Sequence, residues 1–112
     1  MNGPANVAEF GTVKDKASFA QLLEMSAYHH VANGKHYPAV LLTTGMRDPN
    51  VDVWQPGKMT AILQSVADAD RPVLLRIDPD AGHDQYSSTR EQMQRWRADQ
   101  LAFLIWQLDA SK

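Results

Sequence analysis

The 112-residue sequence contains no cysteine. That one absence excludes disulfides, thiolate metal sites and cysteine nucleophiles, and leaves the redox compartment undetermined. No apolar run approaches the roughly eighteen residues of a membrane span. The N-terminus, Met-Asn-Gly-Pro-Ala-Asn-Val-Ala-Glu-Phe-Gly, lacks the basic and then apolar regions of a secretory leader. The chain also lacks a charge excess: eleven Lys and Arg face thirteen Asp and Glu, and the basic residues are scattered. Neither nucleic acid nor a membrane surface is therefore expected as a partner. The expectation is a soluble, cytoplasmic chain. The four histidines fit no zinc spacing, and adjacent His29 and His30 would point in different directions, so no metal and no cofactor are expected. There is no internal repeat or low-complexity tract.

What is present is ordinary globular composition, with 44% hydrophobic and 21% charged residues, enough for one domain with a modest core. Residues 1–17 carry Gly3, Pro4 and Gly11 without sustained period and read as an irregular arm. Phe19, Leu22, Leu23 and Met25 fall near one face of a short helix over 16–25, with Ser18 as its cap. Asn33-Gly34-Lys35-His36 reads as a turn. Tyr37-Pro38-Ala39-Val40-Leu41-Leu42-Thr43-Thr44, ended by Gly45, is the continuous apolar run of a parallel strand covered on both faces. After a loop closed by Trp54-Gln55-Pro56-Gly57, Met59, Ile62, Leu63 and Val66 mark a helix running to about Ala69. Residues 71–78 form a second buried-type strand, with Pro72 at its start, where a missing N–H is tolerable. Met93, Trp96, Gln100, Leu101, Leu104 and Leu108 trace a final helix over 89–108. Strand, helix, strand, helix predicts an α/β fold with a short parallel sheet and flanking helices. Two parallel strands make a poor sheet, since such strands need neighbours on their edges and helices over both faces. The sheet is expected to be completed by oligomerisation or by another polypeptide.

In sheets of this type ligands bind beyond the carboxyl ends of the strands. The first strand is followed there by Gly45-Met46-Arg47-Asp48-Pro49-Asn50-Val51, the second by Ala81-Gly82-His83-Asp84. An acid and a histidine thus leave the same sheet edge, where a carboxylate can fix an imidazole tautomer and stabilise the imidazolium formed in general base catalysis. An isolated Asp after a strand is more often a turn residue or cap. Two such residues at the ends of successive strands say more together than either alone.

The run 37–45 followed by Asp48-Pro49-Asn50-Val51, then Pro72-Val73-Leu74-Leu75-Arg76 followed by Ala81-Gly82-His83, resembles the end of a prolyl oligopeptidase catalytic domain. Ser26-Ala27-Tyr28-His29-His30-Val31 resembles that family's Ser-Pro-Tyr/Leu-His-Asn-Val loop, so the resemblance runs from about Ala5 to Leu108. It implies a partial α/β-hydrolase fold at the C-terminal side of a serine peptidase domain, with triad order Ser, Asp, His. Asp48 takes the place of the triad acid and His83 that of the base. The nucleophile does not carry over, because no Gly-Xaa-Ser-Xaa-Gly elbow occurs in these residues. The substrate-facing positions implied by the family are Gln21 and Met25, where members that prefer proline carry aromatics, and Asn50 and Val51 after the acid. Asn50 stands where the oligopeptidases carry a substrate-binding arginine, and is too short and uncharged to replace it. Asp84 replaces a glycine, and either perturbs His83 or points to solvent.

Among the serines at 18, 26, 65, 87, 88 and 111, Ser26 is the candidate internal nucleophile, set against a cap or turn role. Ser87 and Ser88 read as caps of the final helix. Trp54, Trp96 and Trp106 read as packing or interface residues, and Arg90, Glu91, Arg95, Arg97 and Asp99 as a solvated helix face. The function expected is that of a serine-hydrolase fragment acting on peptides or esters, with weak ester hydrolysis. The alternatives are an inert self-associating fragment and one half of a split hydrolase whose complementing fragment carries the serine. A homo-oligomer is expected in either case.

Overall fold

The structure is a computed structural model that describes residues 3–83 and 88–109. Its elements run α1 (Val7–Phe10), α2 (Lys16–Met25), β1 (Val40–Gly45), α3 (Trp54–Val66), β2 (Val73–Asp78) and α4 (Arg90–Asp109), with 3-10 turns at Gly3–Asn6 and Ala27–His30. The N-terminal arm is thus not irregular. Its helical turns end at Gly11, whose φ of 80° is open to glycine and whose N–H returns to the Val7 carbonyl at 2.9 Å.

Local chemistry sets the boundaries. Asp15, not Ser18, caps α2: its carboxylate accepts the Ser18 N–H at 2.8 Å. The α3 helix begins at Trp54 instead of after Gly57, because Pro56 lies in the first turn, where a missing N–H costs nothing. It ends at Val66, short of the expected Ala69. Thr89 and Gln92 form a reciprocal capping box at the start of α4, with Gln92 N–H to Thr89 Oγ1 at 3.2 Å and Thr89 N–H to Gln92 Oε1 at 2.7 Å. That box does the work expected of Ser88; Ser87 and Ser111 lie outside the described residues.

The two strands pair in parallel, with Val40 opposite Val73 and Gly45 opposite Asp78. Pairing starts later than the apolar run, since Pro38 has no N–H to give and the first inter-strand bond runs from Val40 N–H to the Pro72 carbonyl at 2.9 Å. Helix α3 packs on this sheet. Leu63, Thr60 and Val73, at 8%, 5% and 5% exposure, mark its seat.

The expected coverage of both strand faces is not reached. Leu74 and Ile77, on opposite faces of β2, are 42% and 40% exposed. The second half of α4 exposes Leu101, Leu104, Ile105 and Trp106 by 51–60%. The radius of gyration is 16.8 Å, against about 13 Å for a compact chain of this length. The accessible surface is 8464 Å², roughly 2,300 Å² more than a compact monomer of this mass presents. Val40 donates its N–H to Pro72, just before β2, and Met46 to Asp78 at its end, so by alternation the N–H groups of Leu41, Thr43 and Gly45 face away from β2. That outer edge has no charge, bulge or proline to block a further strand.

Candidate functional site

Beyond the carboxyl ends of the strands, the two following loops are laced together. Met46 N–H donates to the Asp78 carbonyl at 2.8 Å and Arg47 N–H to the Ala81 carbonyl at 3.0 Å. Each loop is also shaped by an aspartate that collects its own backbone. Asp48 Oδ1 accepts the N–H groups of Asn50 and Val51 at 2.8 and 2.9 Å, and Asp78 Oδ1 accepts those of Asp80 and Ala81 at 3.1 Å each. The loops come this close because residue 45 is glycine. A Cβ there would press on the carbonyl oxygens of Ala81 and Gly82 and sit 2.6 Å from the Ala81 carbonyl carbon. Arg47 and Asp80 add an exposed ion pair at 3.0 Å, worth little by itself.

In that frame His83 Nδ1 lies 2.9 Å from Asp48 Oδ2 and 3.1 Å from Oδ1. The Asp48 side chain is 7% exposed and that of His83 is 48%. Burial pushes the Asp48 carboxyl up. The Val51 N–H, the His83 ring and the Asn50 N–H more than offset it, holding the carboxyl below its ordinary value. Asp48 is therefore an anion at neutral pH and can only accept, which assigns the proton of neutral His83 to Nδ1 and leaves the Nε2 lone pair to take one. The pair can orient a general base and stabilise it once protonated.

The other candidate residues stand differently. Asn50 and Val51 touch the site through their backbone N–H groups, a role that sequence reasoning missed and that the spacing after an acid in an Asx turn signals. Gln21 and Met25 lie on α2, which packs against the Ala27–His30 turn, and Met25 is 66% exposed. The Ser26 hydroxyl is bonded to His29 Nδ1 at 2.8 Å, whereas His83 is bonded to Asp48. Asp84 lies outside the described residues. Among the described residues, no group of three His, Cys, Asp or Glu side chains could hold a metal ion, and no helix is long and apolar enough to cross a membrane.

A cleft of about 920 Å³ is lined by Leu41, Leu74, Leu75, Phe103 and Trp106 among others, without Asp48 or His83. It is an apolar gap left by a sheet too thin to fill the space between α3 and α4, and has no part in the acid–base chemistry. A smaller recess of about 90 Å³, lined by Gly45, Asp78, Ala81, Gly82 and Trp96, lies behind the His83 loop.

A family model for the prolyl oligopeptidase family matches residues 4–111. Dipeptidyl aminopeptidase BI of Pseudoxanthomonas mexicana is 34% identical over 100 residues, covering 89% of this chain and 14% of that protein. The prolyl endopeptidase of Elizabethkingia miricola is 35% identical over 101 residues, again 89% of this chain and 14% of the relative. The chain thus spans about one-seventh of the curated relatives it matches. One of two prolyl endopeptidases studied for inter-domain dynamics in catalysis and specificity superposes with a TM-score of 0.86 at 31% identity, over 96% of this chain and 16% of that one. Oligopeptidase B from Leishmania major superposes with a TM-score of 0.78 at 24% identity, over 99% of this chain and 15% of that one, a likeness of fold. The sheet and its helices are a part of an α/β-hydrolase fold.

Proposed function

This chain belongs to the prolyl oligopeptidase family, and from that membership we propose that Asp48 and His83 are the acid and base of a serine-hydrolase triad whose nucleophile is carried by a further segment. The observation that carries the reading is the 2.9 Å hydrogen bond from His83 Nδ1 to the sequestered Asp48 carboxylate, formed between loops at the carboxyl ends of paired parallel strands. Such an imidazole takes the proton of a serine hydroxyl at Nε2 as Oγ bonds to a peptide or ester carbonyl carbon. It returns that proton to the leaving amine or alcohol as the acyl bond breaks, and water then releases the acyl group by the same route. Asp48 stabilises the imidazolium at both stages without being protonated itself.

The substrate class is peptide or ester. A preference for proline is not part of the proposal, because Gln21 and Met25 offer no aromatic wall and Asn50 no guanidinium. The serine and the oxyanion donors are supplied by a polypeptide corresponding to the remainder of the fold, docked along the open edge of β1 and the exposed faces of α4. The chain by itself covers those surfaces with a second copy: the excess of roughly 2,300 Å² per chain is within the range buried by permanent dimers. A second reading, with Ser26 as internal nucleophile, rests on its 2.8 Å bond to His29.

The test is hydrolysis of an activated ester and a chromogenic peptide by this chain mixed with the serine-bearing segment of a relative such as the Elizabethkingia miricola enzyme. Turnover well above either piece alone, lost in His83→Ala and Asp48→Ala, is the expected result. A stable complex whose turnover ignores His83→Ala refutes the assignment. Turnover by the chain alone that disappears in Ser26→Ala and His29→Ala would favour the second reading.

A further inference from the structure

The hydrogen bonds around Ala81 raise the question of what holds His83 opposite Asp48. The Ala81 N–H is bound by the Asp78 carboxylate at 3.1 Å, and its carbonyl accepts the Arg47 N–H at 3.0 Å. Arg47 adjoins Asp48, and Ala81 lies two residues before His83. The bond between His83 and Asp48 therefore closes a small ring, and the Ala81 peptide is the link in that ring fastened to the sheet. Asp78 does the fastening on both sides. Its carbonyl receives Met46 N–H at 2.8 Å on the Asp48 loop, and its carboxylate receives Asp80 and Ala81 on the His83 loop.

The carboxylate is itself constrained. Asp78 is 14% exposed and faces Arg76 Nη1 at 3.6 Å. Arg76, 18% exposed, is bonded through Nε to Asp99 of α4 at 2.6 Å. A mostly buried aspartate between a guanidinium and two amides has its rotamer fixed by three partners. An aspartate that only turns a chain needs no such support. A link to both loops of a site is also more than a turn requires.

We propose that Asp78 is a positioning residue for His83: its carboxylate fixes the Ala81 peptide on which the His83 loop hangs, with Arg76 and Asp99 anchoring that carboxylate to α4. The inference rests on the reading of His83 as the base. Its geometry does not involve the serine, so the two can fail separately.

The test is nitrogen NMR of the full chain labelled in histidine, with amide exchange read in parallel. The His83 signal is assigned through His83→Ala. In the unmodified chain the Nδ1–H tautomer of His83 dominates and the Ala81 amide exchanges slowly. In Asp78→Ala, His83 shifts to the mixed tautomers of a free imidazole and Ala81 exchange accelerates about tenfold or more, the effect of losing an ionic acceptor. The Leu63 amide in α3 stays protected, which separates this outcome from general loosening. Asp78→Asn keeps an acceptor oxygen without the charge facing Arg76, and falls between the two. Asp78→Ser, whose oxygen cannot span both amides, replaces the alanine variant if that one does not fold. If neither folds, Asp78→Asn is judged by the same criterion. An unchanged His83 tautomer and unchanged Ala81 exchange in a folded variant overturn the proposal. A failed complementation assay with these shifts intact sinks the hydrolase reading and spares this one.

Discussion

Replacing Gly45 by alanine is the most local perturbation of the site that touches neither Asp48 nor His83. The added methyl would sit 2.6 Å from the Ala81 carbonyl carbon, with two carbonyl oxygens also in its way, about 0.9 Å inside the distance of ~3.5 Å at which carbon atoms rest. The neighbours are backbone, so no side chain can swing aside, and the His83 loop must retreat by about that amount. Displacement on this scale would take the 2.9 Å contact between His83 and Asp48 to roughly 3.8 Å, outside hydrogen-bonding range. Overpacking of this kind costs about 1–3 kcal/mol. With a urea dependence of about 1–1.5 kcal/mol per molar, the unfolding midpoint should fall by roughly 0.7–3 M. A displacement near 1 Å in a reconstituted hydrolase should cost about a hundredfold in turnover. Gly57→Ala is the control. Its methyl meets nothing within 4 Å, and the change should raise the midpoint slightly, since alanine is the better helix former. If Gly45→Ala unfolds at the same urea concentration as the unmodified chain and keeps the His83 tautomer, the close approach of the two loops is not what sets the pair.

Four further outcomes are expected. The Asp48 carboxyl is held below its unfolded value, so the unfolded state binds the extra proton; the stability it contributes is full above pH ~4 and is lost as pH falls through the folded value. Urea midpoints between pH 6 and pH 2.5 should show that acid limb, and Asp48→Asn should flatten part of it. His36 is pushed up by its hydrogen bond with Asp68 and by that carboxylate's charge, so its contribution is full below pH ~6.5 and fades as pH rises through the folded value; the pair is exposed, so the slope between pH 5.5 and 8.5 should be small, and Asp68→Asn should remove it. Leu63→Ala, at the buried contact of α3 with the sheet, should cost about 2–3 kcal/mol by denaturation, the lower part of the usual range, because a thin layer can close on the cavity. Leu101→Ala, 58% exposed, should leave the monomer's stability unchanged and weaken self-association in sedimentation.

The parallel βα pattern was legible because two uncharged or nearly uncharged runs ending in turn residues can only be buried strands, and because the apolar positions of α3 and α4 repeat at helical spacing. Asp48 and His83 were legible from their place after those strands together with the motifs around them. Boundaries were less so. Tyr37 to Ala39 look like strand by composition, but pairing waits for Val40, where an N–H first meets a partner. Pro56 and Gly57 look like loop, and enter α3 because the first helical turn spends no N–H. The short helix at Val7–Phe10 has no apolar period to reveal it. Asp78 went unnoticed since Asp-Pro-Asp after a strand reads as an ordinary turn; its connection to both loops exists only once β1 and β2 are paired in register. The incomplete burial was foreseeable in kind, as two strands cannot cover two faces, while its extent is set by the packing of the helices.

If Asp48 and His83 activate a serine that lies on another segment, as proposed, covalent labelling reads that activation at the nucleophile itself. This chain would be mixed with the serine-bearing segment of a relative, treated with a fluorophosphonate, and the modified residue located by mass spectrometry. The expected result is a single label on the elbow serine of the added segment, formed only when this chain is present and lost with His83→Ala. A label on Ser26 of this chain, or one on the elbow serine that forms equally well with His83→Ala, would contradict it.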